Sequence, residues 1–256
     1  RHISIPVSKR RVTWFQYMKL ADRVITSGEF IRDTLIKENK MLSNRIVSAP
    51  AGADEEHFSI SRKVDDIKKQ FGLDKDYFIV GMVSVLRSWK GHEFVIRAME
   101  TLKKDIPNVH LLIVGDGPVK EKILNLIKDL SLEESITLTG HQNDPAPFYK
   151  AMDVVILPSY AGEATSQTLP QAMLMGKPVI STDVGGLPEV VIDRKTGLIV
   201  LPKDSDSISQ AILELFSDAN LRAKIAQHGR EHALNFFTFK KMVDTTENVY
   251  VELLNK

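Results

Sequence analysis

The chain has 256 residues, of which 43% are hydrophobic and 26% charged, a composition ordinary for one large or two small globular domains. Its 34 basic and 33 acidic residues leave a net charge of +1, which offers no field suited to nucleic acid. Cysteine is absent, and this excludes a disulfide framework, a thiolate zinc site and a catalytic cysteine.

Segments typical of strands and of helices alternate along nearly the whole chain. The predicted strands are short apolar runs, at 24–26, 45–48, 78–85, 110–114, 136–139, 154–157, 179–181 and 197–201. The predicted helices are 13–20, 29–39, 64–71, 93–104, 119–130, 147–152, 167–175, 187–192, 205–217, 220–236 and 239–254. This alternation predicts an α/β fold with a Rossmann-like, doubly wound parallel sheet and right-handed crossovers.

The predicted elements divide the chain into three parts. Residues 1–58 hold too few βα units for a complete domain, so we expect a partial second α/β domain at the amino terminus. Residues 59–235 suffice for the complete domain, and 236–256 form a last helix. The sequence opens at Arg1 without a methionine, and we expect it to begin inside a longer protein.

The composition also bears on location. The absence of cysteine fits a reducing compartment, and no apolar run approaches the ~20 residues of a membrane-spanning helix. We therefore expect a cytoplasmic protein. Basic and aromatic residues mix over 9–17, so peripheral contact with the inner face of the membrane stays open beside an ordinary domain helix.

Polar residues follow the predicted strands 154–157 and 179–181, at the edge where open parallel sheets bind ligands. A lone acid, Glu163, precedes a predicted helix start at Ser166, Gln167 and Thr168, whose free N–H groups suit a phosphate. A lone loop carboxylate is usually solvent-exposed, and this is the alternative interpretation of Glu163.

A second loop, 86–92, also ends a strand and begins a helix. Arg87 and Lys90 lie three positions apart in it, and two cations at this edge suit a diphosphate. A solvated loop is the alternative. Two phosphate-suited loops on one sheet edge favour the functional interpretation.

Other chemistries find weaker support. Gly115, Asp116 and Gly117 resemble a dinucleotide fingerprint, but Lys120 stands where its third glycine belongs, which favours a tight turn over a nicotinamide site. His2, His92 and His141 lack metal-ligand spacing, so we predict neither a metal nor a cofactor.

These pieces, in this order, resemble the family 4 glycosyltransferases of the GT-B fold over nearly the whole chain. The connector 50–54 with Phe58 resembles the family's P-N-G-V-D-x-x-x-F motif, and 86–92 its R-x-x-x-x-K-G-H loop. Residues 114–118 are similar to its V-G-x-G-P turn, and Glu163 and Gln171 take the two acidic positions of its E-x7-E motif.

The resemblance implies a role for each matching position. Arg87 and Lys90 would bind the donor diphosphate, together with the backbone N–H groups at 166–168. Glu163 would face the transferred sugar, and His2 matches a histidine that contacts the sugar and assists catalysis.

The nucleoside would meet two amide side chains. Gln171 would hold the ribose hydroxyls, and Gln142 would touch the base mainly through its backbone. Two positions depart from the family pattern: Gln171 replaces a glutamate, and Val85 stands where the family has an arginine.

The resemblance implies an enzyme that moves a sugar from a nucleotide diphosphate sugar to an acceptor, retains the anomeric configuration and needs no metal. Cell-surface polysaccharide or glycan synthesis is the expected setting, with a glycan or lipid-linked acceptor that the sequence does not identify and no nucleic acid partner. Two alternatives stay open: a donor-binding module without transfer activity, and a nucleotide-sugar epimerase of the same fold.

Overall fold

The computed structural model describes residues 11–255, which form two parallel sheets. The smaller sheet pairs β1 (Val24–Thr26) with β2 (Ile46–Ser48), and α2 (Glu29–Lys37) connects the two strands. Ahead of it, α1 (Arg11–Phe15) continues as a single π-helical turn, Gln16–Leu20, so the helix predicted at 13–20 is two segments.

The larger sheet has six strands in the order β5-β4-β3-β6-β7-β8, and all neighbours are parallel. Its strands are β3 (Phe78–Val83), β4 (Val109–Val114), β5 (Ile136–Leu138), β6 (Val154–Leu157), β7 (Val179–Thr182) and β8 (Leu198–Val200). Counted within this sheet, the order is 3-2-1-4-5-6, which confirms the predicted doubly wound α/β fold.

Most of the helices from α3 onward cover the two faces of this sheet. The helices in this part of the chain are α3 (Ile67–Gln70), α4 (His92–Asp105), α5 (Lys120–Asp129), α6 (Ala146–Ala151), α7 (Thr168–Leu174), α8 (Leu187–Val190), α9 (Ser205–Ser217), α10 (Ala219–Phe236) and α11 (Phe239–Leu254). The short α3 begins only after Asp66, whose carboxylate accepts a hydrogen bond from the Lys69 N–H, so the helix predicted from 64 was too long.

The larger sheet has one core cluster on each face, and a third, smaller cluster of Val24, Leu35, Met41 and Ile46 lies at the smaller sheet. Along β6, Val154 and Ile156 belong to the first cluster, whereas Val155 and Leu157 belong to the second. All four side chains are fully buried, which explains why the strand reads as a continuous apolar run. Burying each such side chain contributes roughly 1.5–3 kcal/mol.

The last helix joins the beginning of the chain to its end. The Ala53 N–H donates to the Phe237 carbonyl, and the Phe239 N–H donates to the Ala53 carbonyl, both at 2.8 Å. Further along α11, Glu252 forms a 2.7 Å ion pair with Arg23 beside β1. The helix therefore contacts both the connector and the smaller sheet.

Within residues 11–255, no helix is long and apolar enough to cross a bilayer. In the first helix, Trp14 and Phe15 are 41% and 49% exposed. A peripheral membrane contact by this segment stays a prediction.

Candidate functional site

A cleft of about 450 Å³ opens at the carboxyl ends of β3 and β6. This is the point where the strand order of the larger sheet reverses, and open α/β sheets bind ligands there. The cleft is lined by most of the residues that the sequence singles out: Lys90, Gln142, Glu163, Ser166, Gln167, Thr168 and Gln171.

The centre of the cleft is an ion pair between Lys90 and Glu163. The Lys90 ammonium donates to Glu163 Oε1 at 2.6 Å, and only 19% and 7% of the two side chains are exposed. The Ser159 hydroxyl donates to the same oxygen, also at 2.6 Å. Within residues 11–255, Glu163 Oε2 accepts no hydrogen bond, so one carboxylate oxygen is available to a ligand.

The solvent-exposed interpretation of Glu163 is wrong. Glu163 is buried, and its basic partner lies 73 positions away in the chain. Lys90 ends a short 3₁₀ turn, and Gly91 follows in the left-handed conformation at φ +81° and begins α4. This turn directs Lys90 toward the loop after β6. Removing one member of a pair with so little solvent would leave the other charge buried without its partner, which is destabilising.

Arg87 does not line this cleft. Its guanidinium lies 5.0 Å from the centre of the Trp89 ring, a cation–π contact, and its side chain borders a neighbouring groove between α4 and α5. Val85, at the position of the family arginine, is 53% exposed and lines the cleft. Lys90 is therefore the one lysine or arginine lining the cleft within residues 11–255.

The loop before α7 offers several hydrogen-bond donors. The Thr168 N–H donates to the Ser166 hydroxyl, and the Thr168 hydroxyl donates to the Val83 carbonyl at the end of β3. The backbone N–H groups of Ser166 and Gln167 have no partner within the described part of the chain. Helix α7 itself begins at Thr168. The loop thus presents free N–H groups close to Lys90.

Gln171 meets a buried tyrosine. The Tyr149 hydroxyl donates to Gln171 Oε1 at 3.1 Å, and burial raises the pKa of Tyr149 above its usual range, which keeps the hydroxyl protonated. The amide carbonyl therefore already accepts one hydrogen bond, and the amide NH₂ of Gln171 offers a ligand a donor. A donor at this position differs from the acceptor that a glutamate would supply.

The remaining predicted site residues are Gln142 and His2. Gln142 lines the cleft, and its side-chain amide donates to the Thr139 carbonyl at 3.1 Å. His2 lies outside the described residues.

The turn of Gly115, Asp116 and Gly117 packs closely against the loop that follows β3. A Cβ on Gly115 would lie 2.0 Å from the Ser84 carbonyl oxygen, and one on Gly117 would lie 2.5 Å from that of Leu86. The glycines thus let the loops after β3 and β4 touch, which supports the tight-turn interpretation.

His92 follows the Lys90 loop and is buried. Its Nε2 lies 3.1 Å from the Ser84 hydroxyl. Burial and, to a smaller extent, the Lys90 charge lower the pKa of His92 to about 4. The imidazole is therefore neutral at pH 7 and adds no positive charge beside Lys90.

Comparison with known proteins shows to which family the chain belongs. The family model described as glycosyl transferases group 1 matches residues 63–232. The chain belongs to the group 1 glycosyl transferases. The matched residues include the loop of Lys90 and the loop of Glu163. The larger sheet is of the GT-B type that the resemblance predicts.

Two curated relatives illustrate the range of this family. The chain is 28% identical over 226 residues to N-acetyl-alpha-D-glucosaminyl L-malate synthase of Bacillus anthracis, covering 88% of this chain and 59% of the relative. It is 32% identical over 195 residues to a GDP-mannose-dependent alpha-(1-6)-phosphatidylinositol monomannoside mannosyltransferase of Mycolicibacterium smegmatis, covering 73% of this chain and 51% of the relative. The chain thus spans less than two thirds of either protein.

Solved structures extend the comparison to the fold. HepE of Anabaena, crystallised with UDP-glucose, is 25% identical at a TM-score of 0.83, and the match covers 96% of this chain and 67% of HepE. Sucrose-phosphate synthase of Thermosynechococcus elongatus is also 25% identical, at a TM-score of 0.80, with 95% and 62% covered.

Sequence reasoning missed two contributors to the site. The Ser159 hydroxyl donates to Glu163, and the Tyr149 hydroxyl donates to Gln171. Each lies at or near the carboxyl end of a strand or on the helix before one, but no local pattern distinguishes it from an ordinary polar or core residue. No cluster of three or more potential metal ligands occurs within residues 11–255.

Changing Gly185 to alanine is expected to destabilise the chain by more than the about 1–2 kcal/mol that a left-handed φ costs, and to weaken binding of the expected nucleotide at least tenfold. Gly185 has φ +61°, and its Cβ would lie 2.1 Å from the Glu163 carbonyl oxygen. The added methyl group therefore displaces the backbone of Glu163. Urea unfolding and titration with UDP measure the two effects.

Gly72 supplies the matched control for this substitution. It has nearly the same φ, +64°, and a Cβ there would meet no atom within 4 Å. Gly72→Ala should lose only the about 1–2 kcal/mol that a left-handed φ costs and leave UDP binding unchanged. Equal UDP affinity in both variants would show that the cleft tolerates a shift of Glu163.

Proposed function

We propose that this chain is the donor-binding portion of a glycosyltransferase that moves a sugar from a nucleoside diphosphate sugar to an acceptor. The observation that carries the proposal is the Lys90–Glu163 pair at the strand-order reversal of the larger sheet. A cation and an acid side by side match a ligand that is anionic at one end and carries hydroxyl groups at the other. Membership of the group 1 family and the similarity to HepE support the same reaction class.

The diphosphate would lie between Lys90 and the loop before α7. Lys90 supplies the charge, and the free N–H groups of Ser166 and Gln167 supply hydrogen bonds. These groups would stabilise the negative charge that develops on the leaving diphosphate, without a metal ion. Arg87 would join them only after its side chain leaves Trp89.

The sugar and the nucleoside would occupy the remaining walls. Glu163 would face the sugar through Oε2, because Lys90 and Ser159 both bind Oε1. Gln171 would bind the ribose through its amide NH₂, and Gln142 would contact the base. The resemblance adds His2 as a second catalytic residue and retention of the anomeric configuration.

The division of the chain follows the same proposal. Residues 1–58 would be the end of an acceptor-side domain with its connector, 59–235 the donor domain, and 236–256 the helix that crosses back. The contacts of α11 with Ala53 and Arg23 support the crossing. The setting would be cell-surface polysaccharide or glycan synthesis in the cytoplasm, with the acceptor at the inner membrane face.

A thermal-shift panel of UDP-, GDP- and ADP-sugars tests the donor site. A ligand at 100 times its Kd stabilises the folded chain by about 2.7 kcal/mol, a shift of roughly 5–10 °C for a chain of this size. We expect one nucleotide series to give such a shift. No shift with any series, from a chain that is folded by circular dichroism, contradicts the proposal.

Two other functions make different predictions in the same experiment. A binding module without transfer activity would show the shift but release no sugar from the donor. An epimerase of the same fold would convert the donor sugar without freeing the nucleotide. Neither is favoured by the family match. Chromatography of a donor incubated with the chain separates the three outcomes.

A further inference from the structure

The amino terminus of helix α2 is capped by the carboxylate of Glu189, which lies in α8, after strand β7 of the larger sheet. Glu189 Oε2 accepts the Glu29 N–H at 2.7 Å, and Oε1 accepts the Phe30 N–H at 2.6 Å. The partners lie 160 and 159 positions apart. The first N–H groups of a helix lack partners within the helix, and its dipole favours a negative charge there. Glu189 therefore caps a helix to which it is not connected locally.

A second contact reinforces the first. The Thr165 hydroxyl donates to the Ser27 carbonyl at 2.6 Å, and both residues are buried. Between them, a Cβ on Gly28 would lie 3.0 Å from Thr165 Cγ2 and 3.1 Å from Glu189 Oε1. The turn 27–30 is thus packed between Thr165 and Glu189 at close range.

The anchoring residues do not line the cleft themselves, but both are joined through the backbone to residues that do. Thr165 stands between Glu163 and Ser166 in the loop that lines it. Glu189 follows Gly186, whose N–H donates to the Glu163 carbonyl at 3.3 Å. A displacement of the turn 27–30 would therefore act on the backbone that carries Glu163 and the phosphate-suited loop.

The surroundings of the Glu189 carboxylate stabilise its charge only in part. Burial raises the pKa of Glu189, whereas the two backbone hydrogen bonds lower it, so the cost of removing the carboxylate from water offsets part of its bonding. The nearby carboxylates of Glu29 and Asp33 also repel it. The capping bonds are short, but their net contribution is limited.

We propose that Glu189 and Thr165 are positioning residues that couple the amino-terminal segment to the donor site, so that docking of the turn 27–30 and occupancy of the cleft stabilise each other. The inference rests on the proposed function, since it takes a nucleoside diphosphate as the occupant. Coupling between two sites is reciprocal: whatever the docked turn adds to ligand affinity, the ligand adds to the docking of the turn.

Hydrogen–deuterium exchange with and without UDP, GDP or ADP tests the coupling in the whole chain. In the wild type, the nucleotide that binds should slow exchange of the peptide containing Glu29 and Phe30. Glu189→Ala should speed that exchange at least tenfold, abolish its response to nucleotide and weaken nucleotide affinity about 5–50-fold. Glu189→Gln retains one oxygen acceptor and should restore part of the affinity.

Two further variants test whether the effect of Glu189→Ala is specific or reflects a general loss of folding. Thr165→Val removes only the hydroxyl and should weaken nucleotide affinity in the same direction by a smaller factor. Asp204→Ala removes a carboxylate that likewise accepts two N–H groups, those of Asp206 and Ser207, at the start of α9. It should speed exchange there and leave nucleotide affinity as in the wild type.

The failures are distinguishable. If the wild type binds none of the three nucleotides, the donor site is wrong and the coupling falls with it. If the wild type binds and Glu189→Ala binds equally well, with unchanged protection of the turn by nucleotide, the donor site stands and the coupling is wrong.

Discussion

Replacing Lys90 with alanine is expected to weaken binding of the nucleoside diphosphate about 10–100-fold. A hydrogen bond between a charged amine and a phosphate contributes about 1.5–3 kcal/mol, and no other lysine or arginine within residues 11–255 lines the cleft. The free energy of unfolding should also fall, by about 1–3 kcal/mol, because the buried Glu163 carboxylate loses its partner. Calorimetric titration with UDP and urea unfolding measure the two effects.

Lys120 is the matched control for Lys90. It pairs with Asp116, a residue that also lines the cleft, but the pair is exposed and joins positions i and i+4. Lys120→Ala should change stability by only a few tenths of a kcal/mol and leave nucleotide affinity within about twofold. Equal affinity of Lys90→Ala and the wild type would contradict the assignment of Lys90 to the diphosphate.

Replacing Glu163 with glutamine is expected to reduce sugar release or transfer about 10²–10⁴-fold while nucleotide binding is retained. The amide keeps the shape of the side chain and an oxygen for the Lys90 and Ser159 hydrogen bonds, but it removes the negative charge beside the sugar. Lys90 then carries an unneutralised charge, so the affinity for UDP should stay equal or increase. Chromatography of the nucleotide sugar over time measures the turnover.

Asp116→Asn is the control for this charge removal. Asp116 lines the same cleft, yet its carboxylate binds the Gly117 N–H and Lys120, and these bonds hold the pKa of Asp116 below its usual value. Its neutralisation should leave turnover within about threefold. Equal turnover by Glu163→Gln and Asp116→Asn would show that Glu163 takes no part in the reaction.

The larger sheet could be predicted from the sequence because its strands are buried on both faces. Runs such as 154–157 are apolar at every position, and alternation with amphipathic helices permits few topologies. The place of the cleft follows from that order of strands. The ends of the strands follow less directly from the sequence. The strand predicted at 78–85 ends at Val83, because the residues after it bind the loop that follows β4: the Leu86 N–H donates to the Asp116 carbonyl.

The contacts within the cleft could not be predicted in the same way. Arg87 and Lys90 look equivalent by spacing, yet the 3₁₀ turn directs one toward Glu163 and leaves the other over Trp89. Glu163 looks solitary because its partner lies far along the chain. Glu189 looks like a surface residue of a short helix, and only the packing of the turn 27–30 gives it a partner.

The pairing of β3 with β6 has a consequence for how the protein acquires its site. Lys90 belongs to the half of the sheet that begins with β3, Glu163 to the half that begins with β6, and the contact between them spans 73 residues. Bringing such distant segments together costs chain entropy before any contact offsets it. Neither half alone contains both charges. The pairing of these two charges is therefore a property of the completed sheet, and it arises in folding only when the two halves have joined.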